Sequence, residues 1–295
     1  MGIVLGLLAA LFWGGADFFV RFASKRIGSY RTLLFMQFFG LLGLGIFLLA
    51  SGQLQVVLAR SAWEIWLWAL LAASLNTLSS LALYRAFEIG VVMIASPISA
   101  CYSAVTALLA FASGERIGLV PLLGMGVVLL GVTVVATPLS AQEPEARAAL
   151  ALKPRGKLPP GVLLAILASI GYGIAFWMLG FKVTPALGPV VPIWIFRLFT
   201  PVVLTLCVPI SRQRLTWPRG SVWWLLAAIG ILDTIAYFAY TYGVTLSQVS
   251  LVSVLSSLYS AVTVLLAWIF IRERLQWSQW LGIGAILAGI ALVNL

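Results

Sequence analysis

Three ionisable side chains, Asp17, Arg197 and Asp233, interrupt long apolar runs in this 295-residue chain. At the centre of a membrane helix such a charge costs about 2.5 to 3.5 kcal/mol or more unless it is paired or hydrated, so it marks pairing, gating or ion transfer. Asp17 stands four residues before Arg21, and an i,i+4 pair with a snorkelling arginine head accounts for it. Asp233 has no such neighbour. On helices, Arg197 and Asp233 lie at equal depth, roughly 12 to 14 Å from one membrane side. They can therefore pair across adjacent helices, either to hide both charges or as a gate or proton relay.

Hydroxyl groups form the second pattern. Tyr102-Ser103-Ala104-Val105-Thr106 returns unchanged as Tyr259-Ser260-Ala261-Val262-Thr263. At helical periodicity Ser96, Ser99, Tyr102, Ser103 and Thr106 share a face about 120° wide, and Ser253, Ser256, Tyr259, Ser260 and Thr263 repeat it. Ala95, Ser99, Ser103 and Ala107 would suit a small-residue packing seam. The two tyrosines exceed what close packing needs, so a face that also lines a path stays open beside packing, and both readings can hold for different parts of the stripe. Trp13, Tyr172, Trp177, Trp194, Tyr237 and Tyr240 are candidates to enclose an organic ligand by stacking or cation–π contact.

Other chemistry is not indicated. The chain has no His, its two cysteines (Cys101 and Cys207) are isolated, and its eight carboxylates lack catalytic or metal-ligand spacing. No enzyme activity, metal or cofactor is expected. A phosphate-binding Gly-Lys loop is missing too, so ATP does not drive the protein directly. The net charge of +10 is dispersed in short clusters between apolar runs, the pattern of topology signals rather than of a nucleic-acid face.

The elements that position these residues follow from composition. The chain is 62% hydrophobic and 9% charged, with a mean hydropathy of +1.11, against about a quarter charged in soluble domains. This predicts an all-α integral membrane protein. Breaks at charges, Pro and Gly give ten spans, near 3–20, 33–50, 63–84, 91–112, 118–138, 161–180, 189–210, 221–242, 248–270 and 277–294. The first has no basic leader and is expected to be retained. The repeated segments lie 157 residues apart, which divides the chain into two five-helix repeats, 1–138 and 161–295, joined by a polar, Pro-rich linker, 139–160.

A second copy of five spans enters the membrane from the opposite side, so the repeats are inverted. In that arrangement Gln37 and Asn76 are the uncharged counterparts of Arg197 and Asp233. Tyr102, Tyr259, Ser99 and Ser256 would meet near the axis that relates the halves. Odd-numbered loops carry 14 Lys and Arg and even-numbered ones three, which places the odd loops in the cytoplasm and both termini outside.

Trp13-Gly14 in the first span, Gly114-Glu115-Arg116 after the fourth and Arg272-Glu273-Arg274 after the ninth resemble the EamA-type transporters of the drug/metabolite transporter superfamily. The resemblance implies helices around a central cavity and efflux of amino acids or other small metabolites from bacteria by alternating access. It also implies cytoplasmic termini, opposite to the charge count, and a Gly where this chain has Arg272. The expected site comprises Arg197, Asp233, Tyr102, Tyr259, Ser99, Ser256, Trp13, Trp177, Tyr237, Asn76 and Gln37. The expected partners are a small-molecule substrate and the lipid bilayer, with protons as a coupling partner left open and no nucleic acid; proton-coupled transport of organic cations, uptake in place of efflux, and a non-transporting scaffold or channel stand as the alternatives.

Overall fold

The computed structural model describes residues 1–52, 62–90, 92–136, 160–211, 215–271 and 277–293. The linker 139–160, save its last residue, and the Arg272-Glu273-Arg274 motif lie outside them. Among the described residues all regular structure is helical. In the first half these are α1 (Gly2–Ile27), α2 (Ser29–Ser51), α3 (Trp63–Ile89), α4 (Val92–Ala100), α5 (Tyr102–Ala112) and α6 (Leu119–Ala136). In the second they are α7 (Val162–Met178), a π-turn (Leu179–Val183), α8 (Thr184–Leu187), α9 (Val191–Ser211), α10 (Val222–Leu246), α11 (Val249–Ser256), α12 (Tyr259–Leu266), a second π-turn (Ala267–Ile271) and α13 (Trp277–Val293).

Among the described residues eight helical stretches are long and apolar enough to cross a membrane, with α4–α5, α7–α8 and α11–α12 each counting as one. Two further apolar stretches, Leu119–Gly131 and Trp280–Leu292, are shorter. The first expected loop shrinks to a single residue. α1 runs on to Ile27 and α2 starts at Ser29, because Gly28 takes φ 85, a left-handed turn that residues with a Cβ seldom adopt.

The fourth and ninth helical stretches break at equivalent points, immediately before the repeated tyrosines. Serine hydroxyls cause this locally: Ser99 donates to the Ser96 carbonyl, Ser103 to Ala100, Ser256 to Ser253 and Ser257 to Val254. Such back-bonding competes with the helical ladder and bends it. The backbone tightens to three-residue bonds at the same places, from Cys101 to Ile98 at 3.3 Å and from Leu258 to Leu255 at 3.3 Å.

The halves pack reciprocally. A Cβ on Gly14 of α1 would lie 2.5 Å from Val262 of α12, and one on Gly173 of α7 would lie 2.4 Å from Val105 of α5. Only glycine lets these backbones approach so closely. The repeated threonines then reach across: Thr263 donates to the Gly14 carbonyl (3.2 Å) and Thr106 to that of Gly173 (3.0 Å). α6 and α13 meet through a third exchange, Gly131 against the Gly282 carbonyl and Gly289 against that of Gly124. Outward faces carry exposed Leu, Ile, Phe and Trp, such as Leu42, Leu49, Ile210 and Trp224, as contact with lipid requires.

Candidate functional site

α1, α2, α3, α5, α7, α9, α10 and α12 contribute side chains to one cavity between the halves; α6 and α13 contribute none. Its wall comprises Trp13, Asp17, Met36, Gln37, Asn76, Ser80, Leu83, Tyr84, Tyr102, Tyr172, Phe176, Arg197, Asp233, Tyr237 and Tyr259. The space open to the centres of water-sized molecules is ≈ 50 Å³. One water needs about 10 to 15 Å³ on that measure. The cavity thus has room for a few waters.

Arg197 is its most constrained side chain. Nη1 lies 2.7 Å from Asp233 Oδ2 and donates to Gln37 Oε1 at 2.6 Å, while the guanidinium carbon sits 5.3 Å from the Tyr237 ring centroid. Room for it comes from Gly40, where a Cβ would lie 2.8 Å from Arg197 Nε. One turn on, Pro201 sits inside α9 and has no N–H to return to the Arg197 carbonyl. The second Asp233 oxygen accepts from Trp13 Nε1 at 2.9 Å, and Tyr237 donates its hydroxyl to Asn76 Oδ1. Gln37 and Asn76, the uncharged counterparts, thus join the network of Arg197 and Asp233. Among the side chains lining the cavity, three buried atoms have no hydrogen-bond partner: Arg197 Nε, Arg197 Nη2 and Asp17 Oδ2.

The two tyrosines cross the junction. Tyr102 shares a 2.6 Å hydrogen bond with Ser256, Tyr259 shares one with Ser99, and their rings stack at 6.4 Å between centroids. Each tyrosine lines the cavity while the serine that holds it belongs to the other half and is fully buried. The hydroxylated stripe therefore divides, its serines and threonines forming the seam and its tyrosines the wall. Below the seam, Glu115 of the Gly-Glu-Arg motif accepts from the backbone N–H groups of Val249 (2.7 Å) and Ser250 (3.1 Å). It neutralises the free donors at the start of α11 and ties the halves at that end.

Trp13, Gln37, Asn76, Tyr102, Arg197, Asp233, Tyr237 and Tyr259 thus come together, with Ser99 and Ser256 directly behind. Trp177 does not: its indole donates to Ser113 at 2.8 Å and its ring packs on Trp68 and Phe181. Among the other aromatic candidates, Tyr172 lines the cavity, Tyr240 packs on Trp13 and Phe176 behind it, and Trp194 lies outside the lining. Asp17 reverses an expectation. It makes no described ion pair with Arg21 and instead faces the cavity, 8% exposed. Its place four residues after Trp13, hence on the same helical face, was the sequence signal for that position. Phe176 and Met36 carried no signal beyond ordinary apolar patterning.

A model of the EamA-like transporter family matches residues 1–137 and again 159–295. Among solved structures, one titled "Crystal structure of protein" superposes with a TM-score of 0.74 at 19% identity, covering 99% of this chain and 97% of its own. At that identity the likeness concerns the fold. No curated protein matches.

Proposed function

The chain belongs to the EamA-like transporter family, whose members move small solutes across membranes, and on that premise we propose that it is a secondary carrier working by alternating access. Its substrates are small organic metabolites, amino acids or similar amphipathic solutes, exported across a bacterial cytoplasmic membrane. One observation carries this reading: both halves line a single cavity, and each sends a tyrosine across to a serine of the other. Contacts exchanged between equivalent halves can be made in two arrangements of similar energy, as alternating access requires. The substrate class follows from charge. Arg197 Nη2 offers an unpartnered donor and Asp17 Oδ2 an unpartnered acceptor, which match the carboxylate and ammonium of a zwitterion.

Ten crossings complete the proposed architecture. α6 and α13, with 18 and 17 residues, rise about 25 to 27 Å, near the roughly 30 Å of hydrocarbon they must span. A thermal-unfolding screen over amino acids, nucleobases and organic cations tests the substrate class. A ligand at a hundred times its dissociation constant adds about 2.7 kcal/mol of stability. Amino acids are expected to raise the unfolding temperature, whereas a shift by nucleobases alone would contradict the reading.

A further inference from the structure

Asp17 is the group in this site that the other lining residues leave uncompensated. Three charged side chains line the cavity, Asp17, Asp233 and Arg197. Arg197 is already committed to Asp233, which also accepts from Trp13. Subtracting that pair leaves one negative charge, on a carboxyl with a buried oxygen that has no hydrogen-bond partner. The other titratable groups lining the cavity are phenols, Tyr84 on α3, Tyr102 on α5, Tyr172 on α7, Tyr237 on α10 and Tyr259 on α12, and none carries positive charge. Arg21, one turn along α1, is half-buried and has contacts of its own.

A carboxylate so placed is costly unless a proton or cation neutralises it. We propose that Asp17 is an exchange site for positive charge, holding a proton when the cavity is empty and the positively charged nitrogen of the cargo when it is occupied. The inference rests on the carrier reading and deepens it. The exchange balances simply: a cargo ammonium enters, the Asp17 O–H bond breaks, the carboxylate pairs with the ammonium and the proton leaves to water. Proton and cargo thus occupy the same carboxylate in turn, which couples their movements in opposite directions. The aromatic wall suits the second occupant, because ring faces attract organic cations.

Choline is a suitable probe, since its charge does not change with pH, and 3,3-dimethylbutan-1-ol is its neutral isostere. With purified protein in detergent, choline is expected to bind and to release one proton into weakly buffered solution, while the alcohol releases none. In the acid limit its apparent affinity should fall about tenfold per pH unit, as linkage requires for competition at one site. Infrared difference spectra should show a protonated carboxylic acid that disappears in Asp17→Asn. That variant should fold about as stably as the parent, because the amide is close in shape to the protonated carboxyl, yet release no proton; Asp17→Glu should restore the release. An acid band that persists in Asp17→Asn, unchanged proton release there, or no choline binding by the parent at any pH would overturn the proposal. These are equilibrium measurements. A protein that exchanges protons for choline but moves no solute across a bilayer would refute the carrier reading and leave this one standing.

Discussion

Arg197 and Asp233 have uncharged equivalents in the first half, Gln37 and Asn76, and the four share one network. Charge is thus confined to one member of each equivalent pair, so the ionic chemistry of the site is asymmetric within a nearly symmetric frame. The buried pair sets up a clear expectation. Arg197→Gln or Asp233→Asn alone strands a charge and should lower stability by about 3 to 5 kcal/mol, while the double change should recover most of that loss. Thermal unfolding of the four proteins checks this, and a double variant as weak as the two losses combined would show that the pair is not the source. The pairing was readable from sequence because depth along a helix follows from residue count. The neighbour of Asp17 was not, because i,i+4 spacing says which residues share a face and not what lies opposite that face. Trp177 failed for the same reason: Phe176, one residue away, takes the cavity position, and Trp177 packs against Trp68.

At the scale of elements, the broken helices α4–α5 and α11–α12 show what a repeated pentapeptide can and cannot reveal. Identity between Tyr102–Thr106 and Tyr259–Thr263 was enough to find the duplication and to expect the tyrosines near its axis. The break before each tyrosine depends on which carbonyl each serine hydroxyl bonds, and composition does not determine that choice. Reciprocity makes a prediction that compares two sites. Gly14→Ala and Gly173→Ala each drive a Cβ to about 2.5 Å or less from a valine of the other half, so both should destabilise, by roughly 1 to 3 kcal/mol each as overpacking does. Unfolding measurements should find the two losses alike. A large loss at one site with none at the other would show that the two crossings are not energetically equivalent.

For the whole molecule, the family match over both halves and the reciprocal packing agree on a duplicated transporter architecture, whereas its orientation in the membrane rests on charge alone. With 14 basic residues in odd loops against three in even ones, both termini are predicted to lie outside. A reporter active only in the cytoplasm, fused after Leu295, should therefore stay silent, and strong activity would reverse the assignment. The bilayer, which supplies the reason for long apolar helices, is legible in composition; the order of the helices around the cavity is not, because apolar faces toward lipid and toward protein look alike in sequence. If the two halves carry a solute by alternating access, the protein should show counterflow. Proteoliposomes preloaded with an amino acid identified by thermal shift should take up a labelled trace of it transiently, above the equilibrium level, and lose that overshoot when the preload is omitted. Uptake that rises only to equilibrium whether or not the vesicles are preloaded would mark a channel, and no uptake in either case would mark a protein that does not transport that solute.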